Sequence, residues 1–399
     1  QAFDAALDPE APEDVLARRR SWGTDGFQGH LEAALDAAAG AGLAISLTAG
    51  SGWPAGGAHL GSDESLKTLL ISEHPVTGPG TATITLDGPD LAPFYQIAES
   101  AEAMGEPLAR YLGDQGELVS VMAGKRIGGE RDTNPLVLTD QVQLDPDSLV
   151  ILTDAVEGGV LEWEVPSGQW VVVAFWAAPD GEYVSLHAYP DEAWVVDHLD
   201  GLRVTATLDV LLGPAAGHPA LEGFFTDSFE LKAERLWATD FLEEFAARRG
   251  YDPEPWLPIV MVPGADNHIF DGAGIPRLAP FAYGADDDRV RNDWQRTVSE
   301  LFIERTVETC TAWGEARGLR SRLQPYGVGI DVISAAAASV PEAEQLYAGG
   351  SEVLLKAVSS GGHLGGREII SAESMVWAGK DHMLTPTKLK AAADKLFTA

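Results

Sequence analysis

Acidic residues recur in this chain where short apolar runs end. Leu221-Glu-Gly-Phe-Phe-Thr-Asp-Ser-Phe-Glu230 is the clearest case: a buried-strand pattern turns polar at Thr226 and then delivers Asp227, Ser228 and Glu230. Carboxylates placed where a strand passes into its helix stand at the mouth of an α/β barrel, where acid and base chemistry is done. The same spacing has a structural alternative. Asp-x-x-Glu ahead of an apolar-periodic helix is also a capping box, in which both side chains satisfy free amide donors and do nothing else. A helix does follow in the pattern, with Trp237, Phe241 and Phe245 at four-residue intervals and Arg248-Arg249-Gly250 as a cationic last turn and stop. This segment alone leaves both possibilities open.

Other runs end in the same way. Leu319 to Leu323 leads into Gln324-Pro-Tyr-Gly327, a small-residue loop leads into Val340-Pro-Glu-Ala-Glu344, and Gly362-His363 precedes a last apolar run with Glu373 at its end. Near the start, Leu43 to Thr48 reads as a strand followed by the glycine-rich loop Ala49 to Gly57, in which Trp53 is either a platform for a sugar or a residue that packs the loop down. That loop lacks the Gly-Lys-Ser/Thr ending of a phosphate cradle. Trp194-Val-Val-Asp-His198 carries a polar pair, Asp197 and His198, whose default role is packing; Glu342 and Glu344 are open between a solvated loop and an oxygen-donor site.

The elements that must position these residues follow from periodicity. Residues 1 to 25 read as loop, His30 to Ala41 as an alanine-rich helix closed by glycines, and Val290 to Arg317 as a long amphipathic helix stopped by Gly318. Between them the texture from about 74 to 212 is alternating and turn-rich, with Pro166-Ser-Gly-Gln169 expected to join two strands as a hairpin. Pro253 to about 287 is a long loop containing His268, Asp271 and Asp286 to Asp288. Together these patterns predict an α/β chain of TIM-type barrel units interrupted by an antiparallel β-domain. The expected divisions are 1–73 for the first part of the barrel, 74–212 for the inserted domain and 213–399 for the remainder with the carboxylates.

Bulk properties remove several classes of function. The chain has 399 residues, 27 basic and 61 acidic, for a formal net charge of −34, which argues against nucleic acid or an anionic membrane as partner. A single cysteine, Cys310, excludes an internal disulfide framework and reads as a buried structural thiol. None of the 9 histidines has zinc-hydrolase spacing, and no apolar run approaches the roughly 20 residues that span a bilayer. No signal peptide is visible, and the chain begins at Gln1.

The chain resembles the glycoside hydrolase family 106 α-L-rhamnosidases. The resemblance rests on Gly50-Ser-Gly-Trp-Pro-Ala-Gly-Gly57, Val196-Asp-His198, Thr226-Asp-Ser-Phe-Glu230 with Trp237 and Arg249-Gly-Tyr-Asp252, Gln324-Pro-Tyr-Gly327, Pro341-Glu-Ala-Glu344 and Ser371-Ala-Glu-Ser374, which run in the family's order. It implies a (β/α)8 TIM-type barrel, incomplete at both ends, and an exo-acting, inverting enzyme that releases terminal α-L-rhamnose from plant polysaccharides or glycosides, with calcium at the site and a secreted or periplasmic location. The family's usual length implies a truncated sequence; the missing barrel ends would otherwise suggest a non-catalytic carbohydrate-binding relative, and a barrel glycosidase of another sugar specificity is a further alternative. Inversion needs two carboxyl groups across the sugar with a water between them, one of them kept protonated. On that basis Glu230 is expected as general acid with Asp227 as its neighbour, and Glu373 as base with Glu342 as second candidate. Trp53, Asp197, His198, Gln324, Tyr326, Glu342 and His363 are expected as sugar contacts, and Glu342 and Glu344 as calcium ligands.

Overall fold

The structure is a computed structural model that describes residues 12–92, 94–95, 109–130, 140–272, 274, 277–327, 329–345, 350–376 and 384–399. It divides into two compact units, one formed by Gln1–Leu60, Val184–Glu230 and Ser299–Ala399, the other by Gly61–Tyr183 and Leu231–Val298. These limits differ from the expected divisions. The strand Lys67–Thr85 runs straight across the 73/74 boundary, and 231–298 groups with the β-rich segment instead of the carboxylates.

The first unit is built on a five-stranded sheet whose strands β1 (Ile45–Thr48), β2 (Leu221–Thr226), β3 (Arg320–Leu323), β4 (Val340–Glu344) and β5 (Ser371–Glu373) lie in chain order. Every pairing is parallel. Parallel neighbours need crossover connections, and helices supply them. Helices α1 (Asp25–Gly40), α2 (Gly201–Leu211) and α3 (Thr309–Glu315) contribute Leu35, Val204, Leu208 and Trp313 to a core that buries Leu221 and Phe224 of β2. Helices α4 (Val332–Ala338) and α5 (Glu352–Leu364) pack Ala336, Leu355 and Val358 against Ala343 of β4. This is a half-barrel arrangement, with Phe224 and Thr226 facing the helices and Phe225 and Asp227 on the opposite face by strand alternation.

Several local expectations change. Glu13–Arg19 is a helix, not loop, with Glu13 and Asp14 in its first turn and Arg18 paired to Asp14 one turn away. The small-residue loop before Val340 is helix α4, because alanine is the best helix former and Asp331 caps it through Ile333 and Ser334. His363 lies in the last turn of α5, exposed, where the crossover returns to the start of β5. It is therefore at the end of the unit away from the strand C-termini.

The second unit holds a six-stranded sheet in which Lys67–Thr85, Glu117–Gly128, Val142–Ile151 and Val160–Pro179 pair antiparallel around Leu70, Phe94, Val121, Val172 and Trp176. Pro166–Gln169 is not a hairpin. Val160–Pro179 runs through it as one strand, and the pairing with Lys67–Thr85 absorbs the irregularity in a bulge where Gly78 faces Gly168. The segment from Pro253 onward carries the buried turn Leu257–Val260, and Asp287 accepts bonds from the backbone of Tyr283 and Gly284, a structural duty. Among the described residues no helix is long and apolar enough to cross a membrane.

Candidate active site

The capping-box alternative fails. The helix after Glu230 begins only at Phe241, with Asp240 before it, while Asp227 accepts from the Ser228 backbone at 2.8 Å. Asp227 to Glu230 instead run on beyond β2 alongside the residues that follow β3. Gln324 N donates to Thr226 O at 3.1 Å and Phe229 N to Tyr326 O at 2.9 Å, and Phe229 forms a parallel bridge with Gly327. Gly327 is required there: at φ 145° a Cβ would lie 2.0 Å from the Phe229 carbonyl oxygen.

Three alternate residues along β3 and its extension each hold one carboxylate from the later strands. Arg322 binds Glu342, Gln324 Nε2 donates to Glu373 Oε2 at 2.9 Å, and Tyr326 Oη donates to Glu344 Oε2 at 3.2 Å. The period-2 geometry of a strand explains the series, because residues two apart share a face. Glu342 is further held by Ser371 Oγ at 2.8 Å, and the Arg322 guanidinium lies 4.5 Å from the Phe225 ring centroid. Glu344 and Glu373 are register partners across β4 and β5. On the β2 side, Trp53 Nε1 donates to Glu230 Oε2 at 3.0 Å.

The electrostatics show that the acidic residues share one neighbourhood. Burial lifts the Asp227 carboxyl to about 6, opposed by the Ser228 backbone bond and aided by the charges of Glu373, Glu230 and Glu342. Burial and then the Glu373 charge lift Glu344 to about 7, opposed by its Tyr326 bond and aided by Glu230 and Asp227. Burial and the Glu344 charge keep Tyr326 protonated. Two carboxyl groups, Asp227 and Glu344, thus keep their protons closer to neutrality than ordinary carboxylates do, near Glu230 and Glu373, which accept from Trp53 and Gln324.

Of the residues singled out in the sequence, the structure brings together Trp53, Asp227, Glu230, Gln324, Tyr326, Glu342, Glu344 and Glu373. It does not bring His198 or His363 to them. His198 is 1% exposed, with its ring against Phe229 and Phe302, and Asp197 is 2% exposed and turns back to accept from Leu199 N at 3.0 Å. Sequence reasoning missed Arg322 and Ser371, the partners of Glu342. The signal for Arg322 was a cation at an inward position of a strand, with acids on the next one.

The expected calcium pair does not fit such an ion. Glu342 is 3% exposed and committed to Arg322 and Ser371, and among the described residues no group of three or more His, Cys, Asp or Glu converges to hold a metal.

The family described as alpha-L-rhamnosidase, glycoside hydrolase 106, matches residues 127–399. A protein from Formosa agariphila named "Putative beta-glucuronidase" is 23% identical over 371 residues, covering 89% of this chain and 30% of its own length. The solved structure of a rhamnosidase from Novosphingobium sp. PP1Y superposes with a TM-score of 0.62 at 18% identity, covering 94% of this chain and 49% of that one. The chain thus spans about a third of the first relative and about half of the second.

Proposed function

The chain belongs to the glycoside hydrolase 106 family, the α-L-rhamnosidases, and we propose that it hydrolyses terminal α-L-rhamnosides with inversion at the anomeric carbon. The observation that carries the reading is the meeting of Asp227 and Glu230, from the end of β2, with Glu344 and Glu373 from β4 and β5. Measured along a sheet with strands about 4.8 Å apart, β2 and β5 stand three spacings, roughly 14 Å, from each other. Side chains that lean inward across a curved sheet shorten that toward the roughly 6.5–9.5 Å an inverting pair needs. Glu230, oriented by Trp53, protonates the leaving oxygen, and Asp227 holds a proton beside it. Glu373, held by the Gln324 amide, takes the proton of the attacking water. Glu342 is not the base, because its charge is matched by Arg322 and Ser371. Gln324 and Tyr326 place their carboxylates and border the sugar. We read the five strands as part of a (β/α)8 barrel interrupted by the β-rich unit, and the substrate as a plant-type glycoside met outside the cell.

The relative named for β-glucuronidase raises a second specificity, and the charge of the site weighs against it. A glucuronide would bring its own carboxylate among Asp227, Glu230, Glu342, Glu344 and Glu373, and Arg322 is already neutralised by Glu342. A neutral deoxy sugar meets no such repulsion.

The test is kinetic. Glu230→Gln and Glu373→Gln in the full chain should each lower kcat on an aryl α-L-rhamnoside by about 10²–10⁴-fold. The first-formed anomer, followed by NMR, should be the inverted one. Wild-type turnover in either variant removes that residue's role; release of glucuronate and not rhamnose transfers the reading to the second specificity; rhamnose binding without turnover makes the chain a carbohydrate-binding relative.

A further inference from the structure

His198 is buried against Phe229 and Phe302, and its surroundings define what it does. Thr306 Oγ1 donates to the His198 carbonyl at 2.6 Å and lies 3.4 Å from Nδ1, so its lone pair is what it presents to the ring. That arrangement puts the ring proton on Nδ1 and leaves Nε2 as an acceptor. Nε2 is buried and meets no hydrogen-bond partner in the protein, and the buried hydroxyl of Thr226 meets only the Cys310 thiol. Both side chains line one cavity of about 10 Å3, walled otherwise by residues such as Ala49, Val196 and Leu208 and bordered by the Cys310 thiol, a weak partner at best. A single water needs roughly 10–15 Å3 and two or more polar partners, and this cavity offers the lower limit of the first and meets the second.

We propose that one water molecule is built into this cavity, donating to His198 Nε2 and bonded to the Thr226 hydroxyl, and that His198 is through it a positioning residue for Asp227. Thr226 is the last residue of β2: its side chain faces the helices, its carbonyl accepts from Gln324 N, and the next residue is Asp227. A water fixed between His198 and Thr226 sets the rotamer of the threonine from the helix side while the Gln324 bond sets its peptide. Together they fix where the following carboxylate projects. The neutral ring suits this role, since a charged imidazolium between Phe229 and Phe302 would be strongly disfavoured.

The positioning role rests on the function proposed for Asp227, whereas the water does not, and the experiment separates them. A crystal structure of the full chain at a resolution that shows ordered solvent should contain one water within hydrogen-bond distance of both His198 Nε2 and Thr226 Oγ1. A dry cavity, or a direct bond between the two side chains, overturns the proposal. In kinetics, Thr226→Val, which keeps the shape and removes the hydroxyl, should lower kcat about tenfold and move the pH limb of kcat without changing KM. Thr226→Ser should restore both. A Thr226→Val enzyme with wild-type kcat and pH profile overturns the positioning role even if the water is seen. If the wild-type chain turns over no glycoside, the density still decides the water and only the functional reading falls.

Discussion

Replacing Asp227 by Asn should stabilise the protein at pH 8 and leave its stability at pH 4 almost unchanged. A free aspartate ionises near 4, whereas in the folded chain burial and the neighbouring carboxylates hold Asp227 at about 6. Below pH 4 the group is protonated in both states and folding meets no penalty. Between pH 4 and 6 the unfolded chain releases its proton while the folded one keeps it, so stability falls by about 1.36 kcal/mol per pH unit. Above pH 6 the loss is complete, at about 3 kcal/mol. Asparagine has the same shape, keeps an oxygen for the Ser228 amide and carries no charge, so it removes the penalty.

Sharing of charge with Glu230, Glu342 and Glu373 makes 3 kcal/mol an upper figure; even 2 kcal/mol corresponds to a rise in Tm of about 4–8 °C for a body of roughly 200 residues. The assay is thermal unfolding of wild type and Asp227→Asn from pH 4 to 8, read as the difference in Tm at each pH. The difference should open between pH 4 and 6 and then stay constant. A difference independent of pH, or a variant less stable than wild type at pH 8, would refute the placement of Asp227 in a buried site among other carboxylates. The same substitution should abolish most activity, which would mark the wild-type charge as a stability cost retained for function.

Other substitutions probe the remaining contacts. Tyr326→Phe removes the bond that opposes the rise in the Glu344 pKa, so any kinetic limb that titrates near 7 should move up in pH, which a pH profile will show. Glu342→Gln should lower stability by roughly 1–3 kcal/mol in denaturant unfolding, since it leaves a half-buried guanidinium with a weaker partner. In the second unit Lys232 and Glu182 form a buried pair at 2.5 Å, and Lys232→Met should cost roughly 3–5 kcal/mol by stranding the glutamate. Gly327→Ala should fail to reach wild-type thermal stability by several °C, because the new Cβ and the Phe229 carbonyl cannot share the space.

What the sequence revealed of this site, and what it concealed, follows one division. Strand ends were legible because a buried parallel strand is an apolar run that turns polar abruptly, so Asp227, Glu230, Gln324, Tyr326, Glu344 and Glu373 could be picked out one by one. Their partners were not, because Arg322–Glu342, Gln324–Glu373 and Tyr326–Glu344 depend on register between strands far apart in the chain. Position relative to the sheet was equally hidden. His363 and His198 look like equivalent polar residues near strands, and only the crossover direction of α5 and the Phe229–Phe302 packing place them elsewhere. Pro166–Gln169 has the composition of a turn, yet the pairing on either side of it overrides that, since a bulge next to Gly78 accommodates a proline that a regular ladder would reject.

The register also answers why so many acids can be gathered in one place. Two unit charges 5 Å apart repel by about 3 kcal/mol at an effective dielectric of 20, so five ionised carboxylates in a half-buried cluster would oppose folding by more than a domain's net stability. The structure lowers that burden in two ways. Strand β3 sets a cation, an amide donor and a hydroxyl donor against Glu342, Glu373 and Glu344 in turn, and Asp227 and Glu344 keep protons up to about 6 and about 7. The protons retained on Asp227 and Glu344 lie close enough to Glu230, the proposed donor to the leaving oxygen, to interact with its charge. Glu373, which accepts from the Gln324 amide, is the proposed acceptor of the proton from water. The proposed inverting mechanism needs a donor and an acceptor at one pH, and the neighbours of each carboxyl group, not its type, would make the difference between them.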